Sequence, residues 1–475
     1  MGFIGPSYTL ESVNVDCQAC VNLFPQMNEY GTGKEREVAS LVSRPGLLKL
    51  ATLGSGPVRG LYYSSNGRTF AVSGATFYEI TTPTAPVSQG TLTTSSGRIG
   101  MTDNGVDLIL VDGAKGYHFR FSTNTFEEIT DPEFPAGANV AQFLDQYIIV
   151  NEPGTGRFWF SAISDATDWN GLDFGSAEGA PDNLNTLLVD HRELWLFGDR
   201  SIEVFFNTGD ADNPFQRMQG AFIEEGAIPG SAQKMDNTIL YVTVNENGQG
   251  IVKRAQGYTP QRISTHAIEY AISAYGNLSG TTSYVYQHRG HSFYALNFPG
   301  ADRTWVFDAA TGMWHERTYT PADGQPIERD RVECHVFDGT RHLVGDYANG
   351  NLYQFDDETY TDDGAPITRL RRSLHLSNTG DRITIHALQI DVESGVGLAS
   401  GNGSDPQMML RTSKDGAHTW GTERTASMGR QGEYARRVIW RRLGEVRDWI
   451  IEAKSTAPVK QVWISAYLDT KGAAH

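Results

Sequence analysis

Cysteine is nearly absent: Cys17, Cys20 and Cys334 are the only three in 475 residues. An odd, sparse set excludes a disulfide scaffold and fits folding in a reducing cytosol. No stretch approaches the roughly 18 uninterrupted apolar residues of a membrane helix. The opening Met1-Gly2-Phe3-Ile4-Gly5-Pro6 lacks a basic region ahead of an apolar one, so neither a signal peptide nor a membrane anchor is expected. Low-complexity tracts are missing, with 19 prolines and 51 glycines scattered along the chain, which excludes a disordered or collagen-like protein. Catalytic signatures are missing too. There is no G-x-S-x-G, Walker loop, H-E-x-x-H, or G-x-G-x-x-G between a strand and a helix. Weight therefore shifts from catalysis to binding or structure, with no catalytic residue, cofactor or metal expected.

Positive charge is short overall, at 39 Lys and Arg against 56 Asp and Glu, a formal charge of −17. Such a surface repels phosphate over about a Debye length, against general adhesion to nucleic acid or anionic membrane. The balance is uneven. From Ala365 onward there are 16 basic against 11 acidic residues, leaving 23 against 45 before it. The two portions are expected to face different partners.

What is present is strand after strand. Short β-branched and aromatic runs alternate with Gly, Asn and Asp turns, and His266 to Tyr275 is the best of few helix candidates. A unit recurs: an apolar run, a turn, then a second run ending in an aromatic. Taking Phe70, Ile109, Ile148, Leu196, Leu240, Tyr294 and His342 as equivalent, successive spacings are 39, 39, 48, 44, 54 and 48 residues. A propeller blade spans about 40 to 50. One blade cannot bury both faces, so it must stack on neighbours in a ring. The chain is predicted to be all-β: an N-terminal arm with first strands over 1–54, a propeller of six to eight blades over 55–360, and a small β-rich domain over 365–475. The acidic turn Asp356 to Gly364 marks the break.

Individual motifs carry little chemistry. Ser413-Lys414-Asp415-Gly416-Ala417-His418-Thr419-Trp420 resembles an Asp-box, with Ala417 at a glycine position; Ser413, Asp415, Thr419 and Trp420 read as a structural turn. Cys17-Gln18-Ala19-Cys20 has half the spacing of a zinc site but no second pair, and reads as part of an extended arm. Asn207, Asp210, Asp212 and Asn213 read as an Asx-rich turn, since a calcium loop needs a central Gly and a terminal Glu. Glu224-Glu225 and Asp356-Asp357-Glu358 read as solvated charges. Arg369, Arg371 and Arg372, with Arg436, Arg437, Arg441, Arg442 and Arg447 near Tyr434, Trp440 and Trp449, form the one basic-aromatic concentration. They are candidates for contact with a partner or DNA, set against polar strand faces that touch neither.

The opening stretch carries a family resemblance. Val21-Asn22-Leu23-Phe24-Pro25, Ser43-Arg44-Pro45-Gly46-Leu47, Val58-Arg59-Gly60-Leu61-Tyr62 and the run from Thr69 to Tyr78 resemble the packaged-DNA stabilisation proteins of short-tailed phages, the tail hub or nozzle of P22-like virions. The likeness is specific over about residues 20 to 130 and loosest at the C-terminus. It implies a structural virion protein, assembled in the host cytoplasm as a hexameric ring below the portal and its adaptor. There it would close the DNA channel, enclose duplex DNA without reading its sequence, retain the genome, and seat a tail needle, fibres or spikes. Contact with the adaptor is expected through residues 1 to 45, because an arm without its own core is usually ordered by a partner. The competing reading is a carbohydrate-binding or sialidase-like propeller. That reading needs Asp-boxes in successive blades and a central arginine cluster with a tyrosine nucleophile, whereas one imperfect box lies outside the repeats.

Overall fold

The structure, a computed structural model, describes residues 2–30, 39–210, 213–244, 248–321, 327–378 and 380–472. Seven antiparallel blades form the propeller: the first five are separate four-stranded sheets, the sixth runs on into a larger sheet of 12 strands, and the seventh belongs to a sheet of six. The first comprises Val58–Tyr63, Thr69–Ser73, Thr76–Glu79 and Val87–Thr91. The innermost strands of the next six are Gly100–Asp103, Ala141–Leu144, Leu184–Asp190, Gln233–Met235, Thr282–His288 and Val332–Phe337. Each innermost strand touches the next all the way round, and the last meets the first, so the ring is closed.

All seven residues taken as equivalent fall in the second strand of a blade. That strand is covered on both sides by neighbouring blades: Thr69–Ser73, Asp107–Val111 and Tyr147–Asn151 are buried at every position. Its sequence therefore reads as a continuous apolar run, which is what made the repeat visible. The apolar clusters lie between blades. Phe70 and Phe77 of the first pack on Leu108, Leu110 and Phe119 of the second, and Tyr147 and Phe160 of the third on Leu187 and Phe215 of the fourth. At about 1.5–3 kcal/mol per fully buried large side chain, a lone blade would expose more apolar surface than it covers, and stacking removes the deficit.

The seventh blade borrows its outer strand. Gly46–Thr52, which precedes the first blade, pairs antiparallel with Asn351–Asp356 and closes the ring from the opposite chain end. The propeller thus takes a strand from the segment assigned above to the arm. The helix spans His266–Ser273, capped by Thr265, whose side chain accepts from the Ile268 N–H; Ile268 and Ile272 are buried between the fifth and sixth blades.

The second unit is a β-sandwich built from both chain ends. One sheet runs Leu23–Met27, Ala39–Ser43, Val462–Gly472, Ile383–Val392, Val438–Val446. The other contains Cys17–Val21, Arg369–Arg372, Asp448–Ser455, Gln407–Ser413 and Arg424–Ser427, and joins the sixth blade through Val21 against Glu316. Phe3, Cys20, Leu23 and Leu41 share its core with Trp449 and Trp463. This corrects the expectation that the arm needs a partner for order: its described residues pack and pair with strands from 369–472 of the same chain.

A buried polar knot joins propeller to sandwich. Asn22, held at φ 54°, donates to the carbonyls of Thr318 and Thr368. Its own carbonyl oxygen accepts from Arg44 Nε at 2.9 Å. Arg44 clamps Asp362 with two hydrogen bonds of 2.9 and 2.5 Å, both side chains being 1% exposed. Asn22 and Arg44 belong to the segments that carry the family resemblance, and the junction gives those segments a physical reason.

Candidate functional site

The axis of the propeller carries an opening lined by all seven blades. Where the innermost strands begin, a cavity of about 780 Å³ is lined by Arg59, Arg98, Asp112, Arg329, Glu333 and His335, among others. Arg59 is fully occupied. Its guanidinium donates to the carbonyls of Gly74, Thr94, Ser96 and Gly97 at 2.6–2.9 Å, and so pins the connection from the first blade to the second. Asp112 accepts from the N–H groups of Thr94, Ala114 and Lys115. Burial works to raise its carboxyl, but these donors hold it below the usual carboxylate range. Arg98, from the same connection, reaches over the axis toward the fifth and sixth blades: a Cβ placed on Gly230 would lie 2.6 Å from Arg98 Nη1. His335 is neutral at physiological pH, since burial and the neighbouring His342 push it down to about 3.

The arginines singled out from the sequence separate into two groups. Arg369 and Arg371 are fully buried and cannot meet a partner or DNA, a correction to their reading as contacts. Arg369 donates to Ser43 Oγ and to the carbonyls of Ile367, Ala457 and Tyr360. Arg371 donates to the carbonyls of Phe3, Pro6 and Ala19 and to Gln18 Oε1. Both staple the N-terminal segment into the sandwich. Arg372 is likewise engaged: it and Arg411 converge on buried Glu452 at 2.6 and 2.5 Å, and both guanidiniums lie 5.0 Å from the Trp420 ring.

Arg436, Arg437, Arg441 and Arg442 are exposed, as is Arg447. Between the pairs Ile385 with Gly444 and Ala387 with Arg441, the strand Val438–Val446 carries one extra residue, and Arg442 there adopts φ 60°. That bulge turns two successive side chains outward instead of alternating them. The strand is the edge of its sheet, where charge also discourages unwanted pairing.

The Asp-box geometry is present in the sandwich. Asp415 accepts from the Thr419 N–H and hydroxyl at 2.9 and 2.6 Å and from the Ser413 hydroxyl at 2.8 Å. Ala417 takes φ 70° where the motif prefers glycine. These donors, Thr419 foremost, pull the Asp415 carboxyl down from 3.8 to about 2. A depressed carboxyl stabilises the fold above its unfolded value, and that contribution fades as pH falls through about 2. The Thr419 amide is therefore expected to lose hydrogen-exchange protection below pH 3, and at neutral pH in Asp415→Ala; unchanged protection in that variant would remove the turn's role.

The remaining motifs resolve as ordinary structure. Burial pushes the Cys17 thiol up to about 11 and Cys20 to about 12, and Cys20 Sγ donates to the Leu23 carbonyl. Among the described residues no group of His, Cys, Asp and Glu is placed to hold a metal ion. Asn207 accepts from the Gly209 N–H and Asp210 from the Asn213 N–H, closing a hairpin turn; Asp212 lies outside the described residues. Glu225 pairs with Lys253, and Asp357 with His288 and Arg289. Arg98 and the propeller–sandwich knot escaped the sequence reading. The first sits in a serine-glycine connection with no motif, and the second depends on pairings between opposite chain ends.

Comparison with known proteins places the chain. No curated protein matches it. Among solved structures it is similar to the extracellular domain of the BT4673 two component system from B. thetaiotaomicron, at 10% identity and TM-score 0.46, covering 74% of this chain and 45% of that one. It is also similar to the Neurospora crassa Pan2 WD40 domain, at 9% identity and TM-score 0.41, covering 68% and 96%. A family model described as Bacteriophage P22 Gp10, beta-propeller, matches residues 11–360, and a second, Bacteriophage P22 Gp10, beta-sandwich, matches 368–452. With both of its units matched, the chain belongs to the bacteriophage P22 Gp10 family of phage tail structural proteins.

Proposed function

We propose that this protein is the tail hub of a short-tailed phage. Six copies form a ring below the portal and its adaptor, close the DNA channel after packaging, retain the genome, and seat the distal needle, fibres or spikes. The observation that carries this reading is the family match over both units. The axial cavity of a single propeller, about 780 Å³ with Arg98 reaching across to Gly230, is far too small for a duplex, so a duplex would be enclosed by a ring of copies and not threaded through one. Acidic residues outnumber basic ones 45 to 23 before Ala365; such a wall repels phosphate and lets DNA slide without sequence readout. We assign exposed Arg436, Arg437, Arg441 and Arg442 to the contact with an acidic neighbour in the ring. In this reading the adaptor contact falls on the N-terminal residues 1–45 as they lie against the sandwich, the propeller over 55–360 keeps Gly46–Thr52 as its closing strand, and the domain over 365–475 faces the neighbouring copy. No catalytic step is assigned to any of them.

Phage grown without this protein are expected to package DNA and then lose it, giving purified heads with little DNA by absorbance and electron microscopy. Filled, stable heads made in its absence would overturn the proposal.

A further inference from the structure

We propose that the axial cavity of the propeller is a binding site for a small oxyanion, a carboxylate or phosphate group held between Arg98 and Arg329. The charges in the cavity pair off and leave one over. Arg59 and Asp112 share Thr94, whose hydroxyl donates to the carboxylate at 3.0 Å and accepts from the guanidinium at 2.8 Å. Arg329 donates to Glu333 at 2.9 Å and lies 3.6 Å above the Tyr347 ring. Arg98 remains. Among the described residues it makes no hydrogen bond or ion pair; Glu333, already bonded to Arg329, acts on it at longer range, and the two arginines share that one carboxylate.

A second observation points the same way. Arg329 is 5% exposed, and its Nη1 is buried without a hydrogen-bond partner. A buried guanidinium donor left unmade costs more than an ordinary lost hydrogen bond. Guanidinium is also the group whose planar fork matches carboxylate and phosphate. The cavity, about 780 Å³, is the size of a small-molecule site. An oxyanion entering between the two arginines would neutralise the surplus charge and displace Glu333 as the partner of Arg329. The only competitors for that place are the carboxylates already present, and Asp112 is committed to three backbone N–H groups.

Titration calorimetry at low ionic strength, with inorganic phosphate and separately with citrate, tests the site on the full chain. The unaltered protein is expected to bind at least one probe, and the preferred probe separates a phosphate from a carboxylate ligand. Arg98→Gln should weaken binding at least tenfold. Glu333→Gln should tighten it, because the internal competitor is gone while the fold keeps an isosteric side chain. No binding of either probe at millimolar concentration, or equal affinity in Arg98→Gln, overturns the proposal. So does weaker binding in a Glu333→Gln protein whose thermal unfolding is unchanged.

Discussion

Arg44→Ala is expected to cost about 3–5 kcal/mol of stability, because it leaves a buried carboxylate without its hydrogen-bonded counter-charge, with Arg369 acting on it only at longer range. Asp362 is 1% exposed and receives both ends of the Arg44 guanidinium. The loss would spread. Arg44 also donates to Asn22, which bonds Thr318 of the sixth blade and Thr368 at the start of the sandwich. Urea unfolding followed by tryptophan fluorescence reads the change. Removing both charges together, as Arg44→Met with Asp362→Leu, should recover most of it, since a buried ion pair contributes little beyond a well-packed apolar pair. A single-variant loss below about 1 kcal/mol, the range of an exposed pair, would mean that the knot does not hold the two units together.

A chain that starts at Gly46 is expected to keep a closed propeller and lose the sandwich. It would lack Phe3, Cys20, Leu23 and Leu41 from the sandwich core. At about 1.5–3 kcal/mol for each fully buried large side chain, three such losses match a large share of a domain's typical 5–15 kcal/mol. Arg369 and Arg371 would also be left in the interior without Ser43, Phe3, Pro6, Gln18 and Ala19 as acceptors. Hydrogen exchange should show unprotected amides over 369–472 and protected ones through the blades. Protection retained over the sandwich would show that it stands without the N-terminal segment. The same truncation therefore fails to isolate a detachable adaptor-binding arm, because whatever it abolishes comes with an unfolded domain.

The propeller was legible because its second strands are covered on both faces and so write an unbroken apolar run into the sequence at each repeat. Other parts were hidden for identifiable reasons. The inner hairpins turn on Asp145-Gln146, His191-Arg192 and Asp236-Asn237, all with positive φ. This is the type I′ geometry usually announced by Asn-Gly, so the residue pair alone did not give it away. The alternation in Arg369–Arg372 is inverted, with arginines inward and Leu370 half-exposed. Only the carbonyls brought by the N-terminal segment make that placement affordable, and nothing near Arg369 in the chain foretells them. The Asp-box was read from a local pattern and its hydrogen bonds are local, which is why sequence sufficed there.

The strand that closes the ring has a further consequence during synthesis. The Thr52 hydroxyl meets Asn351, 299 residues further along, and Cys17–Val21 and Ala39–Ser43 wait longer still for Arg369–Arg372 and Val462–Gly472. Cys17–Val21, Ala39–Ser43 and Gly46–Thr52 leave the ribosome long before these partners. Blades can stack in order as they emerge, but the propeller stays an open crescent, with unpaired strand edges exposed to aggregation, until Asn351–Asp356 has been made. Arrival of Arg369–Arg372 and Val462–Gly472 is the event that locks Cys17–Val21 and Ala39–Ser43 in place.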